Sequence, residues 1–199
     1  LVIANELGFF EKYGLQVSLS KETSWANIRD KVAIGILDGA QMLAPLPLAM
    51  TLGLGPIHKP MVTAFSMDLN GNAITVSNAL HESMCRLDEE SMASRKTSVL
   101  ALKKVIDARQ NKLDRPRTFA GVFPFSSNNY DLRYRMADGG IHPDRDVRIV
   151  TIPPSQIVEQ IEQVLIDRYS VGEPWKSLAD RKGLGHTHIT KYEIWKNAP

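Results

Sequence analysis

Two hydrophobic periods take turns along the chain, and that alternation limits the fold more than any single residue does. Residues 2–13 repeat apolar side chains at helical spacing, with Ile3, Leu7, Phe9 and Phe10 on one stripe and Gly14 as a stop. Leu15, Val17 and Leu19 then alternate with polar residues, the pattern of a half-buried strand. Ser24 is placed to cap a helix over 25–37, with Ile28, Val32 and Ile36 on one side. A short apolar run at 40–43 reads as a buried strand, and Pro47 suits the first turn of a short helix ending near Gly53. Strands are predicted at 61–67 and 73–76, around the turn Asn70-Gly71.

The second half continues the pattern. Residues 81–115 read as helical and strongly charged, with Val99, Leu102, Val105 and Ile106 as the apolar face. A strand at 118–123 leads through Ser126-Ser127-Asn128-Asn129 into a helix that Gly139-Gly140 ends. A strand at 147–152, a helix at 153–166, a strand at 169–172, a helix at 175–182 and an extended segment at 188–195 complete the chain. Repeated strand–helix alternation predicts an α/β fold with mainly parallel sheets. In such sheets ligands bind beyond the carboxyl ends of the strands, where helix N-termini point.

Charge narrows the function. Twenty-four basic and 22 acidic residues leave a formal net charge of +2, mixed along the chain. Nucleic-acid binding needs a basic stripe and none is present, so any anion recognition must be local. Cys85 is the only cysteine, which excludes an internal disulfide. No apolar run is long enough to span a bilayer.

The residues that bear on chemistry sit at strand-to-helix junctions: Thr23-Ser24-Trp25, Ser126-Ser127-Asn128 and Pro154-Ser155. A helix N-terminus has unpaired N–H donors and a partial positive charge. Two such ends facing one cleft hold a small anion without a basic surface; ordinary N-capping accounts for each junction singly. Trp25 has a lone indole donor on a large apolar body, suited either to walling an oxyanion or to core packing. His186-x-His188 puts two imidazoles on one strand face but lacks the further ligands of a zinc site. His58, His81 and His142 read as surface residues. Gly183-Leu184-Gly185 is a turn, not a phosphate-binding loop. No catalytic residue, cofactor or metal site is expected.

Five segments carry a family resemblance. Glu6-Leu7-Gly8-Phe9-Phe10-Glu11-Lys12-Tyr13-Gly14-Leu15 resembles the opening of many periplasmic-binding-protein-like receptors. More specific are the run from Thr23 to Lys31, the run from Leu37 to Pro47, Asn70-Gly71-Asn72-Ala73-Ile74-Thr75-Val76-Ser77, and Val171-Gly172-Glu173-Pro174-Trp175. Together they are similar to the nitrate/nitrite/bicarbonate branch of ABC-transporter substrate-binding proteins. The wording around Trp25, at 44–53 and at 123–127 is most similar to the cytosolic nitrate/nitrite sensor that controls an RNA-binding antiterminator.

The resemblance implies a two-lobed, type II periplasmic-binding-protein-like fold, incomplete at both ends. Residues 1–76 would form part of lobe one, 77–170 lobe two, and 171–199 a return segment. It implies a small oxyanion, nitrate or nitrite foremost, held between the lobes by Trp25, Asn72, Ser127, Asn128 and Gly172. Asn72 stands where uptake receptors usually carry Gln, and Asn128 where many members carry His. The implied partner is an antiterminator regulatory protein for a cytoplasmic sensor, or an ABC transporter membrane component for a periplasmic or membrane-associated receptor. A bicarbonate receptor and a thiamine-pyrimidine-synthase-like enzyme on the same scaffold are the alternatives.

Overall fold

A computed structural model describes residues 1–108 and 116–196. Two short helices open the chain, α1 (Val2–Glu6) and α2 (Phe9–Lys12), where one continuous helix was expected. Gly8 divides them because it adopts a left-handed φ of 68°, which a helix interior excludes. Helix α3 (Trp25–Ala33) begins as expected, with the Ser24 hydroxyl accepting from Asn27 N–H at 3.2 Å. It stops at Ala33, a turn short of the predicted end. Helix α4 (Pro45–Thr51) buries Leu46, Ala49 and Met50.

Strand β1 (Ala73–Ser77) is buried at every residue. Three helices follow, α5 (Asn78–Leu87), α6 (Glu89–Met92) and α7 (Ser98–Asp107). The expected helical stretch at 81–115 is thus broken, and its last part lies outside the described residues. The Asp88 carboxylate makes one break by accepting from Ser91 N–H and so starting α6 anew. The chain continues through β2 (Thr118–Gly121), α8 (Ser127–Asp138), β3 (Arg148–Thr151), α9 (Pro154–Glu162), β4 (Arg168–Val171) and α10 (Trp175–Arg181), close to expectation. It ends with β5 (Gly185–Thr190) and α11 (Lys191–Ile194), where an extended segment was predicted throughout.

The five strands form one sheet in the order β3-β2-β4-β1-β5. The β3-β2-β4 half is parallel, while β1 runs antiparallel to both β4 and β5. The sheet is therefore mixed. Val76, expected to end the first lobe, pairs with Arg168, expected in the second.

Adjacent residues on a strand point to opposite faces, and the two layers of core follow from that. Phe119 joins Ile74, Val76, Leu80, Leu102, Leu132, Met136 and Ile189 on the α5–α7–α8 side. Ala120 joins Leu46, Met50, Ile157, Ile161, Tyr169 and Val171 on the α4–α9–α10 side. Each of the larger side chains contributes about 1.5–3 kcal/mol by leaving water. Gly139 lets α8 approach α7, since a Cβ there would collide with the Val99 side chain.

The strands predicted at 15–19, 40–43 and 61–67 do not form. A strand exists only when its N–H and C=O groups find a neighbour, and among the described residues no ladder reaches these segments. At 15–19 and over much of 61–67 the apolar side chains stay in solvent, with Val17 38 %, Leu19 42 % and Phe65 70 % exposed, while Met42, Leu43 and Met61 pack part-buried against the core around Leu46 and Met50.

Candidate functional site

The parallel strands β2 and β4 end on the same rim, and β1, running the other way, begins there. Beyond β2 the chain turns into α8. Ser126 caps that helix: its hydroxyl donates to Phe123 O at 2.6 Å and accepts from Asn129 N–H at 3.1 Å. Asn129 Nδ2 donates to Pro124 O at 2.7 Å and locks the loop. Ser127 and Asn128 are then the first two helical residues, where N–H groups have no partner inside the helix.

Asn72 comes to the rim from the other side. Asn70 and Gly71, with φ of 62° and 82°, turn the chain into it; both residue types tolerate the left-handed region. Asn72 Nδ2 donates to Ser127 Oγ at 3.3 Å, joining residues 55 positions apart. Gly172 follows β4 and lies against Asn72, where an added Cβ would stand 3.1 Å from Asn72 Oδ1. Asn128 is 2 % exposed, and its Nδ2 has no hydrogen-bond partner. A buried amide donor without an acceptor is costly and marks a place where a ligand oxygen would be stabilising.

Four of the five expected residues thus share one rim: Asn72 touches Ser127, Gly172 backs Asn72, and Asn128 follows Ser127. Trp25 is placed differently. It packs half-buried against the cluster of Leu46, Met50, Phe123 and Val171, on the other layer from the body of α8. No hydrogen bond joins it to the Asn72–Ser127 pair among the described residues.

Sequence reasoning missed a buried polar belt behind this rim. Asp131, Arg135, Arg168, His188 and Lys191 are all at most 6 % exposed. Burial pushes the Asp131 carboxyl up to about 6, with Lys191 pulling against it. Burial also holds the Arg168 guanidinium down at about 9, with Arg135 adding to the effect. The signal was present for α8, where Asn128, Asp131 and Arg135 recur at helical spacing on one buried face.

The histidines also differ from expectation. His81 is no isolated surface residue. Its ring stacks on His186 with centroids 3.9 Å apart, and its Nδ1 lies 3.1 Å from His188 Nε2. They line a cavity of about 400 Å³ that does not include the Asn72–Ser127 rim. Among the described residues no three His, Cys, Asp or Glu side chains converge as a metal site. No helix among them is long and apolar enough to cross a membrane.

Known proteins match the whole chain. The model of the NMT1-like family matches residues 1–199. The nitrate import ATP-binding protein NrtC of Synechocystis sp. is 43 % identical over 201 residues, covering 100 % of this chain and 28 % of that protein. The bicarbonate-binding protein CmpA of Synechococcus elongatus is 33 % identical over 211 residues, covering 100 % of this chain and 43 % of that protein. The crystal structure of the periplasmic nitrate-binding protein NrtA from Synechocystis superposes with a TM-score of 0.84 at 28 % identity, over 100 % of this chain and 49 % of that one. The chain spans less than half the length of these relatives. It has the α/β fold of the type II periplasmic binding proteins, and it belongs to the NMT1-like family.

Proposed function

We propose that this chain is a non-enzymatic receptor segment that binds a small oxyanion of the nitrate or bicarbonate class, at the rim where Asn72 meets Ser127 and Asn128, facing a first lobe that carries Trp25. The buried Asn128 Nδ2, without an acceptor and one residue along α8 from the Ser127 that meets Asn72, is the observation that carries the reading. Together with the first-turn N–H groups of α8 it offers neutral donors and a helix dipole, which suit a monovalent anion. Each hydrogen bond to the charged guest contributes about 1.5–3 kcal/mol. Trp25 serves as an apolar wall that reaches the guest when the lobes close. The names of NrtC, CmpA and NrtA support nitrate and bicarbonate as the candidate guests.

Those relatives bear transport and binding names, which favours uptake over an antiterminator-controlling sensor. The partner is then a membrane component of an ABC transporter and the setting extracytoplasmic. A second reading rests on the higher identity to NrtC, 43 % against 33 % for CmpA. In that reading the chain is a receptor-like segment of an ATP-binding transport subunit. It contains no Gly-Lys dipeptide, so it is not itself a phosphate-binding-loop segment.

Calorimetric titration with nitrate and with bicarbonate tests the binding claim. Saturable binding that Asn72→Ala weakens about tenfold or more is expected, the loss of one charged hydrogen bond. Absence of binding to either anion overturns the reading. Protease treatment of spheroplasts, with the outer membrane opened and the inner membrane intact, separates the two settings, because only an extracytoplasmic receptor is digested.

A further inference from the structure

Strand β5 does not pair evenly along β1. Thr187, His186 and Gly185 lie opposite Thr75, Val76 and Ser77, whereas Ile189 and Thr190 lie opposite Ile74 and Ala73. His188 is the extra residue, with no opposite number on β1, so β5 carries a bulge there. The bulge changes direction in two ways. Side chains on a regular strand alternate between faces, which would send His188 and Ile189 apart. Here both turn to the α5–α7–α8 side: Ile189 joins that core, and His188 meets His81 of α5. The shifted register also runs on past the end of β5. Lys191 N–H donates to Asn72 O at 2.8 Å, the next rung after Ala73–Thr190. A ladder without the extra residue would bring Thr190 opposite Asn72 instead.

A side-chain contact meets the chain at this bulge. His81 Nδ1 and His188 Nε2 are 3.1 Å apart and join residues 107 positions apart. The His81 ring is itself aimed: it stacks on His186 at an interplanar angle of 18°, and its Nε2 lies 3.5 Å from Cys85 Sγ, one turn along α5. Burial first, then Arg168, keeps the His188 ring neutral at ordinary pH, as a hydrogen bond between two imidazoles requires of at least one of them.

Asn72 stands at the far end of these contacts. Its carbonyl accepts from Lys191 N–H, its Nδ2 donates to Ser127 Oγ at 3.3 Å, and Gly172 lies against its Oδ1. The bulge thus decides which residue of the returning chain meets the backbone of Asn72.

We propose that His81 and His188 are positioning residues for Asn72: their contact pins the β5 bulge, which sets Lys191 N–H against Asn72 O and keeps the Asn72 amide within reach of Ser127 and of an oxyanion bound there. This rests on the oxyanion reading above and adds to it two residues whose cavity does not include the rim.

The test is calorimetric titration with nitrate, paired with amide exchange followed residue by residue by NMR. His81→Phe keeps a ring against His186 and removes the nitrogen that meets His188. His81→Asn returns a polar group near the position of Nδ1. His81→Phe is expected to weaken nitrate binding about tenfold, and to speed exchange of the Lys191 amide about tenfold relative to the amides of β2. His81→Asn is expected to restore both to within about threefold of wild type. In the wild-type chain, saturating nitrate is expected to slow exchange at Lys191 several-fold, a readout that needs no variant to fold. Wild-type affinity in His81→Phe overturns the positioning role. So does a loss of affinity that leaves Lys191 exchange unchanged or that His81→Asn does not restore, since either makes His81 ordinary packing. Nitrate that binds the wild-type chain without slowing Lys191 overturns it too. A wild-type chain that binds no nitrate overturns the oxyanion reading, and this inference with it.

Discussion

His81 Nδ1 and His188 Nε2 stand 3.1 Å apart, with His188 buried to 6 % exposure. One ring must donate and the other accept, so at least one imidazole is neutral. Burial first, then Arg168, His81, His186 and Arg135, hold His188 down at about 3. An unfolded chain keeps a histidine near about 6.5 and so binds more protons between those two values. Stability therefore falls as pH drops from about 6.5 toward 3. Urea unfolding at about pH 7 and about pH 4 checks this, and His188→Gln is expected to narrow the difference between the two.

Gly172 is required at the rim by closeness, not by an unusual φ. Gly172→Ala puts a methyl group 3.1 Å from Asn72 Oδ1, and Asn72 must shift to relieve it. Nitrate affinity is expected to fall about tenfold, while unfolding free energy changes by under about 1 kcal/mol. A titration paired with a urea melt separates the two effects.

On the proposed function, Asn128 would give up stability for binding. Its amide is buried without an acceptor, a condition that costs about 1–3 kcal/mol. Asn128→Leu, similar in size and without polar atoms, is expected to raise the stability of the ligand-free chain by about 1 kcal/mol and to abolish nitrate binding. Thermal melts with and without nitrate give both readouts.

The unpaired segments near the N-terminus predict a sharp contrast in amide exchange. The amides of 15–19 and 61–67 lack ladder partners, whereas β1, β2 and β4 are hydrogen-bonded on both sides. Hydrogen–deuterium exchange read by mass spectrometry is expected to label the first group within seconds and to leave the strands protected for far longer.

The elements that sequence made legible are those fixed by local pattern. Helix α8 has its cap region at Ser126 and its end at Gly139, and β1, β2 and β4 are short apolar runs, so the strands were placed to within two residues and the helix start to within three. The strands expected at 15–19 and 61–67 failed because pairing depends on distant partners that period-two alternation does not reveal. The end of the chain was misread for another reason: Thr190 and Glu193 spell a capping box, which outweighs the β-branched residues before it. Of the site, Ser127 and Asn128 were legible as cap-region residues. Asn72 and Gly172 were expected from family likeness, and their contact came only with the β1–β4 register. Asp131 and Lys191 were passed over because an isolated charged residue reads by default as solvated.

Because β1 runs against its neighbours, the residue that precedes it and the residue that follows β4 meet at one margin, a hundred positions apart in the chain. Neither belongs to the hydrophobic layers, which are complete without them. A substitution at that margin can therefore alter what the rim presents without disturbing the packing underneath.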